Sequence, residues 1–304
     1  MGAGFVGATI AYTLLVKERF REIILIDIDR DKAEGEALDI SHGVPFVRPA
    51  TVRAGDYSDC KDADMILLAA GAAQAPGESR TDLLSKNAAV FRSILENVMR
   101  YCREDVFLLT VTNPVDILTY ITLKITGFSP KRVIGSGTLL DTARLRSALS
   151  AHTRVDARNV HAFVLGEHGD SEVSAFSAAN IAGLPIRDFC KTCGACGGKS
   201  MDEMSKSVKN AAYEIVEKKG ATYYAVSLAA ERIVRALEGE NAVLTVSGLL
   251  NGEYGIRDVC LSIPRTVGEK GLDRSVTIPL TTFEETALRA GAERLRALAQ
   301  KIGY

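Results

Sequence analysis

Short apolar runs alternate with longer mixed stretches through the first half of the chain, and the alternation reads as strand and helix in turn. EIILID, closing on Asp27, TVRAG, MILLAAG, VFLLTV, which ends at Asn113-Pro114, and RVIG are the strand candidates. Helical spacing of apolar positions fills the gaps, over about 6–17, 31–42, 83–103 and 117–126. The strand runs are apolar almost without interruption, as a sheet covered on both faces requires. Strand–helix alternation of this kind predicts an α/β fold, a Rossmann-type doubly wound parallel sheet.

From about Gly137 the rhythm changes. A helix over 141–151 leads to the strand candidate NVHAFVL and then to GEHGDS. Helices are expected over 201–218, 222–238 and 283–302, and strands at AVLTVSG, VCLSIP and SVTIPL. These elements predict a second, α+β domain. The expected division is 1–136 and 137–304, with the two parts packed as one body around a cleft.

Charge narrows the function. Lys and Arg together number 37 and Asp and Glu 38, a balance that argues against a general nucleic-acid or membrane-surface role. No apolar run is long enough to span a bilayer. No basic segment followed by an apolar one opens the sequence, so no signal peptide is expected. Six cysteines in 304 residues do not make a disulfide framework, and a reducing, cytoplasmic location is the expectation. Cys190, Cys193 and Cys196 crowd into CKTCGACGG. Three thiols without a nearby His read as a surface loop rather than a zinc site, and no metal is called for.

Gly2, Gly4 and Gly7 spell G-x-G-x-x-G around Val6, at the start of a helical run. In a dinucleotide-binding turn the glycines admit the pyrophosphate, and the helix N-terminus offers it N–H donors. Asp27 follows Gly7 by 20 residues, the distance at which a carboxylate accepts hydrogen bonds from the adenosine ribose. A negative charge there repels a 2′-phosphate, so NAD is expected rather than NADP. AAGAA at 69–73, with Gly71 and Ala72, ends another strand with side chains small enough for a cofactor to approach. Such a turn also needs a strand in front of it, and here only Met1 stands there. The expectation is an upstream apolar, β-branched run of about six to ten residues, with Met1 in the last position of that strand.

The chemical residues lie further on. His168 sits between polar neighbours in GEHGDS, beyond an apolar strand, where an imidazole is suited to exchanging a proton. It needs an orienting carboxylate, and Asp141 of LLDTARLR supplies one. Arg144, three residues on, shares a helical face with Asp141 and offers a guanidinium to an anionic substrate. Arg146 falls on roughly the opposite side of that helix. Arg80 closes the loop GAAQAPGESR, either as a residue that swings over a substrate or as a solvated surface Arg. Asn113 stands at the carboxyl edge of the sheet, where ligands bind in such folds, or simply caps its strand.

The ordered set GAGFVG, LID, GAAQAPGESR, TNPVD, GSGTLLDTARLR, VHAFVLGEHGDSE and KGATYYAVS resembles the lactate/malate dehydrogenase family, and within it the bacterial L-lactate dehydrogenases. The resemblance runs from Gly2 to near the C-terminus. It implies an NAD-binding first domain and a catalytic second one. It also implies that His168 donates and accepts the proton, with Asp141 as its partner, and that Arg144 clamps the substrate carboxylate. By the same resemblance Arg80 polarises the reacting carbonyl, Asn113 meets both substrate and cofactor, and Asp116 of the same motif meets the substrate. Lys32, Tyr57, Ser93 and Ser136 fall at positions where the family touches NAD.

Substrate choice turns on Gln74. It matches the loop position where the lactate enzymes resemble one another in carrying a neutral residue and the malate enzymes in carrying Arg. Thr222, in KGATYY, matches the lactate pattern near the substrate methyl. The expected activity is reversible hydride transfer between NADH and pyruvate, serving fermentation. The alternatives are a malate or other 2-hydroxy-acid dehydrogenase, or a catalytically incompetent nucleotide-binding protein if the first strand is truly absent. Arg146 and His161 match positions at which many bacterial relatives bind fructose 1,6-bisphosphate, and the resemblance also implies a homotetramer.

Overall fold

The computed structural model describes residues 1–72, 80–192 and 200–304, the side chains of Arg80, Thr81 and Thr192 excepted. Helix α1 (Phe5–Val16) buries Ile10, Leu14 and Leu15, and β1 (Glu22–Leu25) follows it. Then come α2 (Arg30–Ser41), β2 (Thr51–Ala54) and β3 (Met65–Leu68). Next are α3 (Arg80–Val98), β4 (Phe107–Thr110), α4 (Val115–Thr126), β5 (Val133–Gly135) and α5 (Leu139–Thr153). Two-residue strands β6 (Val160–His161), β7 (Val164–Leu165), β8 (Val173–Ser174), β9 (Asn180–Ile181) and β10 (Leu184–Pro185) lead to α6 (Ile186–Thr192). The chain ends with α7 (Met201–Lys219), α8 (Tyr224–Arg235), β11 (Ala242–Asn251), β12 (Arg257–Gly268), β13 (Gly271–Ser275) and α9 (Thr282–Lys301).

β1 and β2 pair in parallel, as do β3, β4 and β5. β1 and β3 do not pair with each other. A slot of about 470 Å³ runs between them, lined by Ile24, Ile26, Met65 and Leu67 among others. Met1 and Gly2 tie the two sides together at its end. The Met1 amine donates to the Leu67 carbonyl at 2.9 Å, Ala69 N–H donates to the Met1 carbonyl, and Gly2 N–H donates to the Ile26 carbonyl. These two residues therefore stand where the doubly wound order 3-2-1-4-5-6 has its first strand.

The sheet does not stop at the expected division. Its order is β13-β12-β11-β5-β4-β3, and Ser247 of β11 pairs antiparallel with Gly135 of β5. Two large apolar clusters draw on both halves: Leu14, Leu25 and Ile134 pack with Ile233, Val246 and Val267, and Leu95, Leu108 and Ile121 with Leu261, Ile263 and Leu295. Most helices begin and end within a few residues of the sequence reading.

Three expectations need correction. NVHAFVL is two short strands, not one, because β6 pairs with β9 while β7 pairs with β8. SVTIPL is not a strand beyond its first residue: β13 ends at Ser275, and after it the backbone is irregular. The helix expected over 222–238 ends at Arg235 and continues as a wider π turn to Glu240, where Gly239 has φ of 117°. Among the described residues no helix is long and apolar enough to cross a membrane.

Candidate active site

The nucleotide turn is built by close backbone packing. Gly2 has φ of +89°, and a Cβ on Gly7 would lie 1.8 Å from the Gly2 carbonyl oxygen. Any side chain at Gly7 would push the turn apart, so glycine keeps helix α1 seated against it. Gly4 caps that helix, and a Cβ there would meet open space, which leaves room beside the free N–H groups of the first turn. Val6 lies in that turn, half-buried. Asp27 accepts N–H groups from Ala3 at 2.6 Å and Asp29 at 3.0 Å, one on each carboxylate oxygen. Each oxygen keeps a further lone pair for a hydroxyl. A cradle of glycines, helix N–H donors and a fixed carboxylate fits a dinucleotide.

The remaining cofactor candidates lie on several elements. Lys32 lies in the first turn of α2, exposed, its N–H held by Asp29. Tyr57 is half-buried, and burial raises the pKa of its phenol. Gly71 lies against Thr112 and Ala72 beside it is exposed. Ser93 is exposed on α3, whereas Ser136 is buried just after β5.

Asn87 escaped the sequence reading. It is 1% exposed, accepts the Ala72 N–H at 2.8 Å and donates to the Asn113 carbonyl at 3.0 Å. One amide side chain thus joins the loops after β3 and β4 at the carboxyl edge of the sheet. Its signal was a polar residue on the buried face of α3, between Leu84, Ala88 and Phe91.

The second half brings its own group to this edge. Asp141 is buried in the first turn of α5. One of its oxygens lies 2.5 Å from His168 Nδ1, and the other accepts from Arg144 at 2.9 Å. The i, i+3 spacing puts both side chains on one helical face, and cation, carboxylate and imidazole form one chain of contacts. Burial lowers the basicity of His168, but the charge and hydrogen bond of Asp141, helped by Asp116 and Glu172, raise it to about 9. For Asp141 burial is outweighed by His168 and Arg144, which hold its pKa below the usual carboxylate value.

Asp116, expected at the substrate, is 1% exposed on the inward face of α4 and accepts the His168 backbone N–H at 2.7 Å. Burial pushes its pKa up to about 6, against the Ser247 hydroxyl and that N–H. Its carboxyl anchors the His168 loop to the segment that begins at Asn113. Thr222 is half-buried just before α8. Its neighbour Tyr223 stacks on Phe5 of the nucleotide turn, with ring centroids 5.4 Å apart, and Lys219 Nζ lies 3.7 Å from the Tyr223 ring centre. KGATYY is thereby held against the glycine turn.

Arg146 diverges from Arg144 as the helix geometry required. Its Nε donates to the Ala162 carbonyl at 3.2 Å, next to exposed His161, and its guanidinium lies over Phe163. Arg80 opens α3, its side chain outside the described residues; Gln74, Cys193 and Cys196 also lie outside them.

This geometry can bind a dinucleotide, hold an anion beside a charged imidazole, and move a proton at His168 Nε2. Residues 1–135 match the model of the lactate/malate dehydrogenase NAD-binding domain, and 138–302 that of the family's α/β C-terminal domain. An L-lactate dehydrogenase of Acetivibrio thermocellus is 51% identical over 304 residues, 99% of this chain and 96% of that protein. One from a Thermoanaerobacter species is likewise 51% identical, over 99% and 97%. A solved minor L-lactate dehydrogenase from Enterococcus mundtii, in its ligand-bound form, superposes with a TM-score of 0.95 at 40% identity over 99% and 96% of the two chains. A lactate dehydrogenase from a Medee basin deep-sea metagenome library gives 0.96 at 40% identity, over 100% and 97%.

Proposed function

We propose that this chain, which belongs to the lactate/malate dehydrogenase family, reduces pyruvate to L-lactate with NADH and runs the reverse reaction with NAD. The observation that carries this reading is the His168–Asp141–Arg144 chain of contacts, in a fold that also holds a glycine cradle. Bound in that cradle, the nicotinamide cofactor supplies or accepts the hydride. His168, charged through Asp141, gives its proton to the carbonyl oxygen as negative charge develops there. Arg144 pairs with the substrate carboxylate through its fork of N–H groups and sets the orientation. Arg80 adds positive charge at the reacting oxygen. Thr222 borders the methyl end, and Asn113 links substrate and cofactor.

Gln74 supports pyruvate over oxaloacetate, since burying a second carboxylate opposite a neutral amide would be costly. Residues 1–136 serve as the NAD-binding domain and 137–304 as the catalytic one. Lys32, Tyr57, Ser93 and Ser136 complete the NAD contacts. We extend the reading to a cytoplasmic, fermentative homotetramer in which Arg146 and His161 bind fructose 1,6-bisphosphate as effector. Two features support assembly: Phe5, Tyr12 and Val16 leave an exposed apolar stripe along α1, and Tyr224 and Leu228 add to it from the neighbouring α8.

The test is NADH oxidation followed by absorbance with pyruvate and, separately, oxaloacetate. Preferred turnover of pyruvate supports the reading. No oxidation with either, in protein that binds NADH, overturns it.

A further inference from the structure

Glu172 is a buried carboxyl that the proton-transfer scheme does not use. It follows the His168 loop and opens into β8, only 4% exposed. One of its carboxyl oxygens, one of Asp141 and a ring nitrogen of His168 all lie within 4.8 Å of one another. Its Oε1 is buried and finds no hydrogen-bond partner among the described residues.

Two carboxylates this close in a buried site do not both ionise readily. The cations decide which one does. Asp141 has Arg144 at 2.9 Å and His168 at 2.5 Å. Among the described residues Glu172 has no comparable partner. The charged and titratable groups facing it are Asp141 and Arg144 from α5, His168 from the loop, and Lys209 from α7, whose Nζ donates to the Asp170 carbonyl. Burial and the Asp141 charge together push the Glu172 pKa up to about 8, against the three cations.

We propose that Glu172 is a positioning residue for the reaction, a carboxyl that keeps its proton at neutral pH and, on releasing it to solvent in alkali, strengthens the hold of His168 on its own proton. Protonated, it leaves Asp141 as the single anion paired with His168 and Arg144. Ionised, it places a second negative charge within reach of the imidazolium. The pH range over which pyruvate is reduced then extends further into alkali than Asp141 alone would allow.

This inference rests on His168 being the proton donor, so the wild-type assay with pyruvate comes first and tests that reading separately. Pyruvate reduction by wild type and Glu172→Gln is then measured from about pH 6 to about pH 10. The alkaline limb of the variant is expected to move down by about half to one pH unit, so that the variant-to-wild-type rate ratio falls roughly three- to tenfold between the two ends. A second readout needs no substrate. The chain has four histidines, and the His168 ring proton can be followed by NMR in the apoprotein, where it should titrate at lower pH in Glu172→Gln. Glu172→Asp, which retains a carboxyl, should restore part of both shifts. Superimposable limbs and titrations would overturn the proposal. A Glu172→Gln protein that fails to fold would overturn it too, because Gln is the nearest mimic of a protonated glutamic acid.

Discussion

Asp141 reaches His168 Nδ1 at 2.5 Å from inside the first turn of a helix, so the ring is held by an element that cannot readily move away from it. The carboxylate orients the imidazole and favours its charged form. Asp141→Asn keeps the shape and removes the charge. Pyruvate reduction at neutral pH should fall roughly 100- to 10,000-fold, the range that general acid catalysis contributes. Steady-state rates with saturating NADH check this; a loss of less than about tenfold would contradict it.

The direction of the reaction should depend on pH in opposite senses. Reduction needs the imidazolium and should decline as pH rises through the His168 value of about 9. Lactate oxidation needs the neutral ring and should rise over the same range. Profiles measured in both directions should mirror each other, with limbs shifted by bound ligands.

Stability of the apoprotein should also fall towards alkaline pH. His168 binds its proton more tightly folded, about 9, than unfolded, 6.5, so its contribution is whole below the lower value and lost through the upper one. Glu172 is held protonated by folding, with a value of about 8 against 4.5, and ionising it likewise costs stability as pH rises across that span. Melting temperatures at about pH 6 and about pH 9 should differ by roughly several degrees, lower at the alkaline end. A higher value at pH 9 would show that other groups dominate.

Asn87 tests the nucleotide edge of the site. Asn87→Ala leaves the Ala72 N–H and the Asn113 carbonyl without their partner, at a cost of about 1–3 kcal/mol if they stay buried. NADH affinity, read by fluorescence titration, should weaken about tenfold, whereas a surface change such as Lys61→Ala should not alter it.

Gln74→Arg should raise activity on oxaloacetate relative to pyruvate by about tenfold or more, since the guanidinium can pair with the second carboxylate. An unchanged ratio counts against the pyruvate assignment. For Arg146 and His161 the check is the pyruvate saturation curve with and without fructose 1,6-bisphosphate, at low and neutral pH. Identical curves would remove the effector reading.

What could be read from the chain alone was what is local. The glycine turn, the 20-residue step to Asp27 and the i, i+3 pair of Asp141 and Arg144 are spacings along one or two elements, and the structure holds Asp27 to the turn and Arg144 to Asp141. Asn87, Glu172 and the contact of Asp116 with the His168 backbone depend on which distant loop arrives beside them, and no periodicity records that. The break of NVHAFVL into two strands has the same origin. Its apolar residues are continuous, but their pairing partners β8 and β9 lie on different segments. SVTIPL misled because its β-branched residues suit a strand, whereas the pairing of β13 with β12 ends at Ser275.

The pairing of Ser247 with Gly135 has a thermodynamic consequence. A sheet shared by both halves, with apolar clusters that draw on both, leaves no plane along which either half can melt alone. Cooperative unfolding is then expected in a single calorimetric transition, and amides of β5 and β11 should exchange with solvent only when the whole chain opens.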